Sequence, residues 1–341
     1  MSNDRRTLNI QKKKKGRKKW LLWILTPLLL ILISGTVYGT YLYNKAEDVV
    51  SKSYKPIDRT STIRSKDVHP EVDNITVLFA GVDDSDSRNY NAGSRTDALM
   101  MATFNKKQKS VKLLSIPRDS YVYIPSKGYE DKINHAYGKG GIASTIDTVE
   151  GLLDIPVDYY VKMNFEAFID IVDALGGIQA EVPYNLSEKD SKDRRNAINL
   201  KKGIQNLNGE QALALARTRH YDSDIERGKR QQEIIKSIMT KATAATSITK
   251  YSSILEAVGN NMETDLSFDE MKSFFDYAKA GNQLNIEQLS LKGSNSTIDG
   301  IYYYQLDEPE LELIKSKLKS QLEIGSSTDS SANDVVENTA S

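Results

Sequence analysis

Charged residues that end or interrupt apolar runs gather in three places along the chain. In the first, Gly81-Val82-Asp83-Asp84 closes one apolar run and Ser94-Arg95-Thr96-Asp97 opens the next. If these runs are neighbouring strands, Asp83 and Asp97 converge. Two carboxylates with open water positions suit Mg²⁺, whose octahedron substrate phosphates complete. The same acids fit turn caps, or ion pairs with Arg88 and Arg95. In the second place, Ser115-Ile116-Pro117-Arg118-Asp119-Ser120 carries a strand directly into an arginine. Strand ends of α/β sheets face ligand crevices. Lys132-Ile133-Asn134-His135-Ala136-Tyr137 adds a second cation on a loop. Surface salt bridging accounts for either cation as well.

The third place is the densest: Arg217-Thr218-Arg219-His220-Tyr221-Asp222-Ser223-Asp224-Ile225-Glu226-Arg227-Gly228-Lys229-Arg230-Gln231-Gln232. Ser223 and Glu226 have the spacing of a capping box. A helix starting there puts Asp224, Arg227 and Gln231 on one face with Arg230 beside it, while Arg217 and Arg219 alternate along an extended approach. Guanidinium groups grip phosphate in planar pairs of bonds, each worth roughly 1.5–3 kcal/mol, so converging arginines suit a pyrophosphate. The helix N-terminus adds partial positive charge. A solvated charged helix is the competing reading of this run.

Such residues need elements to hold them. Ile75–Val82, Ala98–Phe104, Val111–Ile116, Val157–Met163 and Ile178–Val182 are short runs rich in β-branched residues and bounded by turn formers, so strands are predicted there. Phe165, Phe168, Ile169 and Val172 repeat as one helical face, which Gly176-Gly177 ends. The long helix from Ser223 carries Ile234, Ile235 and Ile238 on one side, and further helices are predicted at about 267–280 and 308–322. Strands alternating with helices predict a layered α/β/α domain around a central sheet.

Composition excludes several functions. The chain has 341 residues, 46 basic and 46 acidic, and no cysteine, which removes thiol nucleophiles, disulfide scaffolds and Cys-ligated metal. His69, His135 and His220 are scattered, with no HExxH. The charge is unevenly placed: residues 1–19 hold nine basic side chains and one acidic, leaving 37 basic and 45 acidic beyond them. Trp20–Tyr43 then runs 24 residues without a charge, with aromatic residues near both ends, the pattern of one transmembrane helix. The basic flank keeps the N-terminus in the cytoplasm and exports the rest. The expected organisation is a cytoplasmic tail (1–19), a transmembrane helix (20–43), an extracellular spacer (44–73), a folded domain (74–324) and a disordered tail (325–341). An exported arginine run with no recognised motif around it argues against nucleic acid as a partner.

Taken in order, Leu78-Phe79-Ala80-Gly81-Val82-Asp83, Arg95-Thr96-Asp97, Leu114-Ser115-Ile116-Pro117-Arg118-Asp119, Lys132 to Tyr137, Val172 to Gly177, Leu207-Asn208-Gly209 and Arg217 to Gln232 resemble the LytR-CpsA-Psr family of membrane-anchored cell-wall enzymes. The resemblance covers about residues 74–240. It implies a domain with a central mixed sheet, anchored as a single-pass type II protein of a Gram-positive envelope with the catalytic part extracellular. It implies transfer of a glycopolymer, such as wall teichoic acid, from an undecaprenyl pyrophosphate carrier to the C6 hydroxyl of N-acetylmuramic acid in peptidoglycan. By that analogy Asp83 and Asp97 hold Mg²⁺, and Arg95, Arg118, Lys132, Arg217, Arg219, Arg227, Arg230 and Gln231 hold the pyrophosphate. Arg118, Arg219 and Arg227 would act in catalysis, and Asp224 would activate the hydroxyl or orient an arginine. Phosphoryl transfer asks mainly for positioning and charge neutralisation, so the lack of a cysteine or histidine nucleophile is no obstacle. The apolar faces Phe165–Leu175 and Ile234–Met239 are candidate walls for a prenyl chain, or ordinary core. A polyprenyl pyrophosphate hydrolase and a non-enzymatic cell-wall sensor or transcription attenuator are the alternative functions.

Overall fold

The structure, a computed structural model, describes residues 36–59, 61, 63, 64, 67–82, 95–218, 224–243, 261–274 and 285–324, with the backbone alone at 224, 242 and 243. The chain divides into two units, Met1–Asp48 and Val49–Ser341. In the first, the described residues 36–48 are helical. Most of the apolar span read at 20–43 lies outside the described residues, among which no helix is long and apolar enough to cross a membrane. The segments 1–19 and 325–341 also lie outside them.

In the second unit, β1 (Ile75–Val82), β2 (Thr96–Asn105) and β3 (Ser110–Ile116) form an antiparallel meander where the apolar runs predict strands. The hairpin β4 (Tyr121–Ile124) and β5 (Tyr129–Lys132) follows, and α1 (His135–Leu153) then leads to β6 (Tyr159–Met163), parallel to β1. Asn164 caps α2 (Phe165–Ala174), its side chain accepting from the Ala167 amide. After α2 the chain turns through Gly176 and Gly177, both at positive φ. A Cβ at Gly177 would stand 2.8 Å from the Leu207 carbonyl, so only glycine fits the crossing.

Beyond that turn, β7 (Ile178–Val182), the small hairpin β8 (Leu186–Glu188) and β9 (Ile198–Leu200), and β10 (Gly203–Leu207) precede α3 (Gly209–Arg217). β10 pairs antiparallel with β7. Asn208 and Gln211 close a capping box at the start of α3, which fixes where the helix begins and hence which face it turns inward. Next come α4 (Asp224–Thr243), β11 (Met262–Thr264), α5 (Phe268–Ser273) and β12 (Asn285–Ser290). The hairpin β13 (Gly293–Ile298) and β14 (Ile301–Leu306) and the helix α6 (Glu308–Leu322) complete the described elements.

Six strands form the central mixed sheet, in the order β11-β6-β1-β2-β3-β12. The inner strands β6, β1, β2 and β3 read as largely apolar runs because both faces are covered, whereas the edge strands β11 and β12 are polar. Leu78, Leu99, Met101 and Leu114 pack on one face under Ile146 and Val149 of α1 and Ile314 and Leu318 of α6. Val77, Met100, Ala102 and Leu113 pack on the other, with Ile235 of α4 and Met271 of α5 against them. A third apolar cluster joins β7 and β10 to α2, α3 and α4 through Val172, Ile178, Leu207, Leu215 and Ile234.

The 44–73 stretch, read as a spacer, contributes contacts along its described residues. Val49, Val50 and Ser53 are buried, and the Lys55 amide donates to the Thr264 carbonyl at 2.7 Å. Arg59 pairs with Glu150, and Arg64 with Asp158 at 3.0 Å. Charged partners anchor this segment, which explains why hydrophobic periodicity gives no sign of it.

Candidate active site

A cavity of about 290 Å³ opens between the end of β1 and β2 and the layer formed by α2, α3 and α4. Helical spacing accounts for its walls. Leu213, Ala216 and Arg217 follow at i, i+3 and i+4 on α3, and Arg227, Gln231, Ile234 and Ile235 at i, i+4, i+7 and i+8 on α4. Phe165 and Phe168 supply the α2 side. The sheet contributes Phe79, Gly81, Ala98 and Met100, with Asp97 and Arg118 at the rim of the apolar floor.

Asp97 reaches this cavity through an irregularity. The β1–β2 register runs Gly81↔Ala98 and then Val82↔Thr96, so Asp97 is an extra residue in a β-bulge. Regular alternation would turn its side chain to the face of Leu99 and Met101, beneath α1 and α6. The bulge instead gives it to the cavity alongside Ala98 and Met100. There its Oδ1 accepts a hydrogen bond from Arg118 Nη1 at 2.5 Å.

The remaining cations are held in different ways. The Arg217 guanidinium stacks on the Phe165 ring at 4.6 Å, and its Nη1 is buried without a hydrogen-bond partner among the described residues. Arg227 is 5% exposed and lines the cavity from the first turn of α4. A guanidinium stays charged when buried, so such a site favours an anionic ligand. Gly228 lets α4 approach this closely: a Cβ there would lie 2.5 Å from Ser115 Oγ. Gln232 locks the contact by donating to the Leu113 and Leu289 carbonyls of β3 and β12, at 2.9 and 2.8 Å.

Among the residues expected to act together, Asp97, Arg118, Arg217, Arg227 and Gln231 line the cavity. Arg217 differs from expectation in one respect: it ends α3 and is not part of an extended approach. Arg230 donates to the Leu215 and Thr218 carbonyls at 3.2 and 2.7 Å, so it braces the end of α3. Gln231 also donates to the Ala216 carbonyl at 3.1 Å. Arg95 is exposed and outside the lining. Lys132, at the end of β5, is outside the lining too and pairs with Asp119 at 3.1 Å, one residue beyond Arg118. Asp83, Arg219 and the Asp224 side chain lie outside the described residues. Of the candidate prenyl walls, Phe165, Phe168, Ile234 and Ile235 line the cavity, whereas Val172 and Leu175 are buried core. Leu213 and Ala216 went unread, although their spacing from Arg217 after Asn208-Gly209 marks a capped helix.

Mg²⁺ needs oxygen donors here. Asp97 presents one hard carboxylate to the cavity, and among the described residues no group of three His, Cys, Asp or Glu forms a metal cage. Mg²⁺ is commonly held by one or two carboxylates with substrate phosphates completing the shell, so this donor set fits that mode.

Comparison with known proteins shows the family and the fold. The model of the LytR_cpsA_psr family matches residues 40–320. The polyisoprenyl-teichoic acid–peptidoglycan teichoic acid transferase TagU of Bacillus subtilis is 40% identical over 314 residues, covering 91% of this chain and 98% of that protein. A structure of TagT bound to LIIa-WTA superposes with a TM-score of 0.67 at 36% identity, over 78% of this chain and 98% of that one. A structure of the family protein YwtF (TagT) with bound octaprenyl pyrophosphate lipid gives 0.63 at 34% identity, over 78% and 97%.

Proposed function

Because the chain belongs to the LytR-CpsA-Psr family, we propose that it is a phosphotransferase that moves an anionic glycopolymer from a polyprenyl pyrophosphate carrier to peptidoglycan. The observation that carries this reading is the two-sided character of one cavity. Arg118, Arg217 and Arg227 offer charge to a pyrophosphate, and Phe165, Phe168, Leu213, Ile234 and Ile235 offer apolar walls to the first prenyl units. Relatives named as teichoic acid transferases, and a neighbour holding octaprenyl pyrophosphate, support the same assignment.

The finer proposal is an undecaprenyl carrier and the C6 hydroxyl of N-acetylmuramic acid as acceptor. The acceptor oxygen bonds to the phosphorus that bears the saccharide, and the bond from that phosphorus to the bridging oxygen breaks. Prenyl phosphate leaves with the electron pair, and the hydroxyl proton passes to a carboxylate or to solvent. Arg118, Arg217 and Arg227 hold the phosphate oxygens where charge builds up. Asp97 orients Arg118, and Asp224 at the start of α4 is the proposed acceptor of the proton. Mg²⁺, when bound at Asp97 and Asp83, would neutralise charge on the pyrophosphate oxygens. Phe165 and Ile234 exclude water from the phosphorus. The proposal includes a membrane anchor at 20–43 with the catalytic unit outside the cell, where a lipid-borne substrate is met by diffusion in the bilayer plane.

The test uses the full chain in mild detergent with Mg²⁺, a polyprenyl-pyrophosphate-linked saccharide and a peptidoglycan oligomer, read by mass spectrometry. The expected product has the mass of acceptor plus phosphosaccharide. Release of phosphosaccharide without attachment would replace the transferase reading with a hydrolase.

A further inference from the structure

A polymeric acceptor is too large for a cavity of about 290 Å³ and has to lie along the outside of the protein. The hairpins β4–β5 and β13–β14 supply a surface for it. They are joined by the bridge Ser120↔Tyr304 and by the Tyr304 amide, which donates to the Asp119 carbonyl at 2.8 Å. Strand alternation sends Val122 and Ile124 into the core and leaves Tyr121 and Tyr123 on the outer face, opposite Lys132 and Glu130. Tyr121 meets Tyr303 edge-on with ring centroids 4.8 Å apart. Tyr123 is 57% exposed, and Tyr302, which follows the opposite alternation from Tyr303 on β14, is 41% exposed. The Tyr302 hydroxyl donates to Asn295 Oδ1 at 3.0 Å, which orients its ring.

Lys132 connects this aromatic surface to the cavity. Its Nζ stands 5.6 Å from the ring centres of both Tyr302 and Tyr303, and 3.1 Å from Asp119 Oδ1. Asp119 Oδ2 is in turn 3.6 Å from Nε of Arg118, which lines the cavity. Exposed tyrosines present a flat apolar face with a polar edge, the combination that suits the C–H faces and hydroxyls of a sugar ring. A lipid surface fits less well. Lys127 and Lys132 are balanced by Asp119, Glu130 and Asp131, so no net positive charge faces anionic headgroups. Apart from Ile301 at the β13–β14 turn, the exposed large side chains here are tyrosines.

We propose that the exposed tyrosines of these two hairpins, Tyr121 and Tyr123 on β4 and Tyr302 against Lys132, form the docking platform for the acceptor glycan strand. It holds a chain of alternating hexosamines beside Arg118. This rests on peptidoglycan being the acceptor, and the experiment separates the two ideas.

Binding of soluble glycan strands, freed of their stem peptides, is measured with the full chain in mild detergent, and transfer kinetics and donor affinity are measured in parallel. Tyr123→Ala and Tyr302→Ala are expected to weaken strand binding and raise the acceptor KM by about tenfold each, with donor affinity unmoved. Tyr302→Phe, which keeps the ring, should stay near the original values. Strand binding that depends on these tyrosines, without any transfer product, would sink the transferase reading and leave the platform standing. Transfer with an unchanged acceptor KM in both alanine variants, or no strand binding by the original chain, would overturn the platform. Loss of binding to vesicles of phosphatidylglycerol and phosphatidylcholine, with strand binding intact, would assign the surface to the membrane instead.

Discussion

Asp97, the extra residue in the β2 bulge, accepts a hydrogen bond at 2.5 Å from Arg118, which stands two residues beyond the end of β3. The bulge and the strand end therefore bring a carboxylate and a guanidinium together over an apolar floor. Both side chains retain solvent access, 34% and 25% exposed, so the pair contributes little to stability.

Asp97→Asn keeps the shape and removes the charge. Transfer is expected to fall by about two orders of magnitude, with the unfolding midpoint nearly unchanged. If Asp97 also holds Mg²⁺, the variant needs more Mg²⁺ for half-maximal rate. Initial rates over a Mg²⁺ titration, alongside a thermal melt, check both statements. A rate within twofold of the original would remove Asp97 from the chemistry.

The contact between Gly228 and Ser115 sets how close α4 lies to the sheet. Gly228→Ala puts a methyl group 2.5 Å from Ser115 Oγ and 3.0 Å from its Cβ, which must push the helix and Arg227 outward. Overpacking of this kind costs about 1–3 kcal/mol, and transfer should fall with it. Adding Ser115→Gly removes the clashing atoms and should recover part of both losses. A double-mutant cycle in stability and rate measures the recovery, and strict additivity would show that the contact does not govern the helix position.

Much of the sheet was legible because buried strands leave uninterrupted apolar runs. Ile75–Val82 and Ile178–Val182 match their predicted bounds, and Val111–Ile116 differs by one residue. The hairpin at Tyr121–Lys132 was not legible, since Tyr121–Ile124 is only four residues long, its partner Tyr129–Lys132 is nearly all charged, and Lys132 reads as a loop residue. Nor was the bulge at Asp97. A bulge is a property of two paired strands, and a single strand's sequence does not display it. The arginines of α3 and α4 were visible as a cluster, but which of them face the cavity depends on where each helix starts. Arg230 points to the end of α3, and Arg217 ends a helix, for that reason.

Arg64 forms an ion pair with Asp158 in which Nη1 stands 3.0 Å from both carboxylate oxygens, and the Thr76 amide donates to the same carboxylate at 2.8 Å. Burial raises the Asp158 pKa, with Arg64 opposing the shift. Arg64→Ala leaves a buried carboxylate without its cation, and about 3–5 kcal/mol of stability should be lost. Equilibrium urea unfolding of the full chain in detergent gives the number. A loss below about 1 kcal/mol would mean that water replaces the guanidinium.

Asp265 provides a pH signature. Its carboxylate accepts the Tyr160 amide at 2.8 Å, and burial pushes its pKa up from 3.8 to about 6. The folded carboxyl therefore holds its proton more tightly than the unfolded one. Its contribution is full below about pH 4 and is lost as pH rises through about 6, a change of up to about 3 kcal/mol. Asp265→Asn keeps an acceptor for the amide and removes the titration. Unfolding free energies of the two proteins from pH 4 to 7 should diverge in that window, the original chain losing stability relative to the variant. Parallel curves would contradict the shift.

The central claim is that one cavity holds both the pyrophosphate and the start of the prenyl chain, and affinity for octaprenyl pyrophosphate tests it most directly. Calorimetry is run on the full chain in detergent with that lipid and with inorganic pyrophosphate, for the original protein, Arg217→Ala and Ala216→Leu. Arg217→Ala should weaken both ligands by about tenfold or more. Ala216→Leu, which fills the apolar side beside Arg217, should weaken the lipid and leave inorganic pyrophosphate unchanged. Equal lipid affinity in all three proteins would contradict the account.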